Sequence, residues 1–120
     1  MPSAEPPRAL PPVEIVPLSG VYDYTARYTA GQTEFHCPAR LPTGVAVAVA
    51  DAAVLAHTML GLRDLSRVDL VVDGSGVVQL LEVNTAPGMT ETSLLPMAVE
   101  AAGLSFGALL RVLLEQAAAR

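Results

Sequence analysis

A short turn between two apolar runs constrains the fold of this chain more than any other feature of its sequence. Gly74-Ser75-Gly76, preceded by Asp73, lies between the runs 66–73 and 77–84. Asp-Gly between apolar residues is a strong local signal for a β-hairpin, because glycine adopts the backbone angles of a tight turn without steric cost. The sequence therefore predicts two antiparallel strands over 66–73 and 77–84.

Alternation along these strands divides the hairpin into an apolar face and a polar face. Side chains along a strand point alternately to opposite sides. If the loop has an even number of residues, positions 67 and 69 share a side with positions 82 and 84. The apolar face then consists of Val68, Leu70, Leu81 and Val83. The polar face consists of Arg67, Asp69, Glu82 and Asn84. We expect the first face to pack against helices and the second to form a functional cluster.

The residue types on the polar face suit a divalent cation and a phosphate. Mg²⁺ binds through one or two carboxylates and shares the oxygens of substrate phosphates. Two adjacent carboxylates repel each other unless a cation bridges them, and the guanidinium of Arg67 matches a phosphate or a developing oxyanion. The alternative is the solvated face of an ordinary amphipathic hairpin. The loop 84–90 favours the metal interpretation, because it is rich in turn formers and because Gly88 lets its backbone approach a ligand.

The other segments predict short strands and helices around this hairpin. Strands are expected at 13–16 and 33–37. They follow a Pro-rich stretch at 1–12, which we predict to be a flexible lead-in, since it cannot form a regular helix or a central strand. Ser93 and Ser105 are the predicted N-caps of two C-terminal helices. The fold class is therefore α+β, with a mostly antiparallel sheet packed on helices over residues 13–120.

A nearly continuous apolar segment, residues 45–62, predicts a buried helix over 43–61. Its length and its alanine content favour helix over strand. A membrane span is disfavoured, because Asp51 at the middle of a bilayer would cost about 2.5–3.5 kcal/mol.

Composition narrows the class of partner. The 120 residues include 12 acidic and 7 basic side chains, for a net charge of -5, and this balance argues against nucleic acid as the main partner. The single cysteine, Cys37, fits a reducing cytoplasm and is interpreted as a packed thiol rather than a nucleophile. His36 and His57 are interpreted as structural residues. The N-terminal residues lack the charged start and apolar stretch of a signal peptide.

Several segments taken together resemble the C-terminal part of D-alanine–D-alanine ligases, which belong to the ATP-grasp superfamily. The resemblance covers most of the chain from Val13 onward. Its most specific part is an R-x-D pair followed by an E-x-N-x-x-PG-x-T block, here Arg67-Val-Asp69 and Glu82-Val-Asn84-Thr-Ala-Pro87-Gly88-Met89-Thr90. Further matches are Tyr22-Asp23-Tyr24-Thr-Ala-Arg27-Tyr28, Phe35-His36-Cys37-Pro38-Ala39 and Ser93-Leu-Leu-Pro96-Met97-Ala98. The resemblance implies an ATP-grasp C-terminal subdomain.

The resemblance implies the roles of the hairpin residues. Asp69, Glu82 and Asn84 would hold the Mg²⁺ (or Mn²⁺) ions that bind the phosphates of ATP. Arg67 would contact the transferring phosphate, and the backbone of Gly88 would help to form an oxyanion site. In the implied reaction, ATP phosphorylates the carboxylate of one D-alanine, and the amine of a second D-alanine displaces the phosphate.

It also implies residues for the substrates. Ser93 and Leu94 would meet the carboxylate of the second D-alanine, although Ser93 is equally a helix cap. Tyr28 would lie over the substrates, although it also fits an ordinary half-buried tyrosine. Arg27 would contact ATP where the family usually has lysine, a residue that binds phosphate differently.

Two departures leave alternatives open. Glu91 and Thr92 stand where the family usually has Ser and His, so a D-lactate or another acceptor remains conceivable as the second substrate. ATP-grasp enzymes hold ATP between two subdomains, and this sequence contains neither an adenine-binding hinge nor any lysine. We therefore expect the chain alone to be inactive. It could be part of a split enzyme that meets a missing N-terminal subdomain, or part of another carboxylate–amine ligase. The alternative is a truncated, non-catalytic remnant that binds metal or a partner chain, for which self-association would be the evidence.

Overall fold

A computed structural model describes residues 6–17, 33–90 and 93–120. Within these residues the chain forms two separate two-stranded antiparallel sheets and three helices. The elements are β1 (Glu14–Pro17), β2 (Thr33–His36), α1 (Thr43–Met59), β3 (Arg67–Val72), β4 (Val78–Asn84), α2 (Leu94–Ala101) and α3 (Phe106–Ala118). The predicted elements are all confirmed, with bounds that differ by one or two residues. The proposed roles of Arg27 and Tyr28, and the departures at 91 and 92, lie outside the described residues.

The first sheet pairs β1 with β2, and an ion pair between Glu14 and Arg40 stabilises it. Arg40 donates hydrogen bonds from Nε and Nη2 to the two carboxylate oxygens of Glu14, at 3.0 and 2.8 Å, and also from its backbone N–H. The hydrogen bonds from Arg40 lower the pKa of Glu14 to about 2. Beside this pair, the backbone N–H of Ala39 donates to the carbonyl of Pro12 at 2.8 Å. The last residue of the Pro-rich stretch is thus attached to the fold, whereas the division of the chain at residue 12 stays a prediction.

The second sheet pairs β3 with β4 and contains a β-bulge. Val72 faces Val78, so the loop has five residues, an odd number, and Leu70 faces Leu80. The register shifts between Asp69 and Leu70, after which Asp69 faces Glu82. Leu81 is the extra residue, and its side chain is 64% exposed. The expectation that Leu81 packs on the apolar face is therefore wrong, because the bulge takes it out of the strand's alternation.

The turn of this sheet depends on one aspartate and one glycine. Asp73 Oδ1 accepts hydrogen bonds from the backbone N–H groups of Ser75 and Val77, at 2.9 and 3.0 Å, and from the hydroxyl of Ser75. Gly76 has a φ of 85°, a conformation that side chains disfavour. The predicted hairpin signal is confirmed, and its aspartate organises the loop.

Helix α1 lies against both β3 and β4 and buries Val49, which is 6% exposed. At its C-terminal end, His57 Nδ1 lies 2.8 Å from the hydroxyl of Ser66, which supports the structural interpretation of this histidine. The helix is only partly buried, contrary to expectation. Its outer side carries Val47, Leu55 and Met59, with exposures of 54%, 58% and 76%.

Helices α2 and α3 follow as a pair. Val99 of α2 is fully buried, whereas α3 has no buried residue. Ser105 caps α3 as predicted, since its Oγ accepts from the N–H of Ala108 at 3.2 Å. Arg111 and Glu115 form an ion pair one turn apart. Helix α3 is thus held mainly by local interactions.

Helix α1 has 17 residues, and among the described helices none is by itself long and apolar enough to cross a membrane. Helices α2 and α3 have the length and composition of a membrane span only when they are taken together. The pair is bent by 109° at the break between the two helices.

We predict that Ser105→Ala lowers the free energy of unfolding by about 1 kcal/mol, because it removes the cap of a helix with little burial to hold it. Urea denaturation followed by circular dichroism measures the change. Ser105→Asp is the matched control, since its carboxylate keeps an acceptor at the cap. Equal destabilisation by both substitutions would contradict a capping role for the hydroxyl.

Candidate metal–phosphate site

The register of β3 and β4 brings the four predicted polar residues together. Arg67 faces Asn84, and Asp69 faces Glu82, directly before the bulge. Alternate residues of a strand share a face, so the two pairs lie side by side at one end of the sheet. The predicted grouping is confirmed. The assumption of an even-numbered loop is wrong, and the bulge at Leu81 restores the register that it would have given.

Arg67 and Asp69 form a two-point ion pair that the sequence reasoning missed. Arg67 Nε donates to Asp69 Oδ1 at 2.8 Å, and Nη2 donates to Oδ2 at 3.0 Å. Their side chains are 23% and 24% exposed, so the pair is largely shielded from solvent. The signal was present in the R-x-D spacing, which places both residues on one face of a strand. The guanidinium therefore neutralises one of the two facing carboxylates.

Glu82 and Asn84 present the other oxygen atoms of the cluster. Glu82 is exposed, and its side chain makes no hydrogen bond or ion pair with any residue that the structure describes. Asn84 is half-buried, and its Oδ1 accepts from the backbone N–H of Ala86 at 2.9 Å. This Asx turn ends β4 and fixes the amide, leaving a second lone pair on its oxygen.

These donors fit Mg²⁺ or Mn²⁺. Across residues 6–17, 33–90 and 93–120, no group of three or more His, Cys, Asp or Glu side chains could hold a metal ion. The cluster instead offers two carboxylates and one amide oxygen, all hard ligands. Mg²⁺ can bind with only a few protein ligands, because phosphate and water supply its remaining ligands. The site is therefore suited to a metal that arrives with a phosphate, rather than to a metal enclosed by protein.

The loop after β4 folds back on itself at Gly88. A Cβ atom on Gly88 would lie 2.7 Å from Ser93 Oγ, closer than any side chain tolerates. Ser93 Oγ accepts from the backbone N–H of Thr90 at 3.0 Å and lies 2.9 Å from the hydroxyl of Thr90. Ser93 occupies the N-cap position of α2, but its side chain makes no capping hydrogen bond. The cap prediction is wrong in this respect, because the hydroxyl serves the loop instead. Leu94 begins α2.

We predict that Gly88→Ala lowers the free energy of unfolding by about 1–2 kcal/mol, because the new methyl group displaces the Ser93 hydroxyl from Thr90. Adding Gly88→Ala to Ser93→Ala should cost little more, since the clashing atom is then gone. Gly44→Ala is the control, because nothing lies within 4 Å of its added Cβ. Additive losses in the double variant, measured by urea denaturation, would contradict the steric explanation.

The sequence model described as "D-ala D-ala ligase C-terminus" matches residues 3–115. The chain belongs to this family. It is 51% identical over 108 residues to the D-alanine–D-alanine ligase of Oleidesulfovibrio alaskensis, covering 89% of this chain and 35% of that protein. It is 50% identical over 113 residues to the ligase of Pelotomaculum thermopropionicum, covering 94% and 36%. The chain thus spans about a third of the length of these relatives.

Solved structures give the same assignment. The crystal structure of D-alanine–D-alanine ligase from Bacillus anthracis matches with a TM-score of 0.69 at 33% identity, covering 88% of this chain and 34% of that one. The structure of the same ligase complexed with ATP matches with a TM-score of 0.67 at 34% identity, covering 85% and 33%. The predicted α+β fold of an ATP-grasp C-terminal subdomain is confirmed.

A broad groove of about 2130 Å³ runs beside the site. Its lining includes the whole polar cluster, Gly88 and Ser93, together with apolar residues of all three helices. Pockets for small molecules usually measure roughly 300–1,000 Å³. The groove is therefore larger than ATP or D-alanine alone would need.

Two other reactive residues lie away from the cluster. Cys37 Sγ lies 3.8 Å from the carbonyl oxygen of Pro11, and burial raises the pKa of this thiol. A raised pKa disfavours the thiolate, which agrees with a packed thiol. Nε2 of His36 is buried without a hydrogen-bond partner among the described residues, and Glu34 lies 3.9 Å from it. Neither residue takes part in the candidate site.

Proposed function

We propose that this chain supplies the C-terminal metal- and ATP-phosphate-binding part of a D-alanine–D-alanine ligase. The complete enzyme would form the D-alanine dipeptide from ATP and two D-alanines, in the cytoplasm, as a precursor for peptidoglycan. The observation that carries the proposal is the β3–β4 register. It places Arg67, Asp69, Glu82 and Asn84 on one face in a chain of this family.

The protein groups on this face suit phosphoryl transfer. Asp69, Glu82 and Asn84 would hold Mg²⁺ or Mn²⁺, and the metal would neutralise charge on the phosphates when bound. Arg67 carries a fork of N–H donors, bonded in this structure to Asp69, whose two-point geometry also matches a phosphoryl group. The backbone of Gly88 lies in the loop that follows the ligands, where a donor to an oxyanion is needed.

The proposed binding of the second substrate depends on Ser93 and the loop that precedes it. A hydroxyl donates one hydrogen bond and accepts two. Ser93 Oγ accepts from the N–H of Thr90, and either hydroxyl can donate in its 2.9 Å contact with Thr90 Oγ1. When Thr90 is the donor, Ser93 can donate its proton to the carboxylate of a second D-alanine beside Leu94. Tyr28 and Arg27 keep their proposed roles over the substrates and near ATP. The Glu-Thr pair at 91–92 leaves room for an acceptor other than D-alanine, such as D-lactate.

The remainder of the active site would come from a partner segment. The chain spans 35% of the ligase from O. alaskensis, and the groove beside the cluster exceeds the size of the substrates. Both features support an N-terminal ATP-grasp subdomain as the occupant of the groove, whether linked to this chain or separate. The alternative is a remnant that self-associates, which the exposed row Val47, Leu55 and Met59 on α1 favours. Light scattering of the purified chain would separate a monomer from a self-associated remnant.

Calorimetric titration of the purified chain with Mg-ATP tests the metal–phosphate part of the proposal. We expect the double variant Glu82→Ala, Asn84→Ala to bind at least about tenfold more weakly, because two of three metal ligands are lost. The matched control is Glu100→Ala with Gln79→Ala, which removes one carboxylate and one amide from exposed positions elsewhere. Equal affinity of the wild type and the Glu82, Asn84 variant would contradict the assignment.

A further inference from the structure

Arg67 is hydrogen-bonded to Asp69, one of the proposed metal ligands. Both carboxylate oxygens of Asp69 accept hydrogen bonds from the one guanidinium group, at 2.8 and 3.0 Å. A cation at Asp69 would have to use the lone pairs that these two bonds leave, and it would be repelled by the positive charge of the guanidinium. The pair is about three-quarters buried, so solvent screens it less than it would an exposed ion pair. Asp69 is therefore a weak metal ligand while Arg67 holds it.

We propose that Arg67 couples metal binding to phosphate binding in this chain. Without an anion, the guanidinium stays on Asp69 and keeps the affinity for a divalent cation low. A phosphate attracts the guanidinium, because its oxygens match the same two-point geometry with more charge. Asp69 is then released to the metal. This inference rests on the proposed metal–phosphate function and adds an order of binding to it.

The position of Glu82 determines which metal ligands a cation can reach first. Glu82 faces Asp69 across the strands, and its carboxylate has no hydrogen-bond or ion-pair partner among the described residues. A cation can therefore meet Glu82 and the Asn84 oxygen first, but it completes its protein ligands only when Arg67 leaves. Thermodynamic linkage makes the effect reciprocal, so the metal raises the affinity for phosphate by the same factor. The site would then bind divalent cations weakly on their own and more tightly together with phosphate.

Mn²⁺ binding to the full chain, measured by the EPR signal of free Mn²⁺ with and without inorganic phosphate, tests the coupling. We expect Arg67→Ala to tighten Mn²⁺ binding about tenfold in the absence of phosphate, the size of a two-point charge-assisted contact. Arg67→Lys keeps the charge but loses the fork, so it should tighten binding by a smaller factor. Phosphate should tighten Mn²⁺ binding to the wild type and leave Arg67→Ala unchanged.

Arg63→Ala is the control for charge alone, because it removes an exposed arginine four residues earlier. We expect it to change Mn²⁺ affinity by no more than about twofold. Equal effects of Arg67→Ala and Arg63→Ala, or no effect of phosphate on the wild type, would overturn the coupling and leave the metal site standing. If no variant binds Mn²⁺ even with phosphate, the proposed metal site fails together with the coupling. Circular dichroism of each variant confirms that it is folded.

Discussion

Glu82→Gln should lower D-alanine-dependent phosphate release by about 100-fold or more in a ligase that carries this chain as its C-terminal third. The loss of this proposed metal ligand would leave phosphate charge unneutralised in the transition state. The ligase of O. alaskensis is a suitable host, since 51% identity favours compatible packing between the parts. The substitution keeps the size of the side chain and removes its charge. Phosphate release from ATP, measured with and without D-alanine, gives the rate.

The same chimera contains its own controls. Glu100→Gln removes an exposed carboxylate from α2 and should leave the rate within about twofold. The chain by itself should release no phosphate above background, because the other side of an ATP-grasp site is not among its residues. An inactive chimera that folds would contradict the proposed function. An unchanged rate in the Glu82→Gln chimera would remove Glu82 from the site.

The hairpin shows how far local patterns determine a fold. Alternation and the Asp-Gly turn predicted both strands and the grouping of four polar residues, because both follow from the period of a strand. The bulge was not predictable from alternation. Leu81 has the residue type of a core position and is nevertheless 64% exposed, because one residue must leave the ladder for an odd-numbered loop to reach the observed register. The residue type of Leu81 therefore could not predict the bulge, which follows from the loop length and the register.

The site shows a second limit, which is competition between partners. Ser93 has the residue type and position of an N-cap, and its hydroxyl bonds to Thr90 instead. Arg67 and Asp69 were assigned to phosphate and metal, and in the structure they bind each other. Sequence patterns identify which groups can bond. The choice among partners depends on distances of a few tenths of an ångström, which spacing along the chain does not give.

Val99 provides the largest stability effect that we expect in this chain. It is the fully buried side chain among the described residues, and it lies on α2. Val99→Asp should prevent cooperative folding, because an uncompensated buried charge costs several kcal/mol and small domains have only roughly 5–15 kcal/mol of stability. Val99→Ala should cost about 1–3 kcal/mol through the lost methyl groups and the cavity. Thermal melts followed by circular dichroism measure both changes.

Val47→Asp is the matched control for the buried charge, because it places the same side chain in a helix at a position that is 54% exposed. It should leave the melt near that of the wild type, since the helix-propensity cost is the same and the desolvation cost is absent. A cooperative melt in Val99→Asp would show that α2 is not part of the folding unit. The loop from Gly88 to Ser93 would then be anchored at one end only, and the metal ligands could form without the proposed substrate residues.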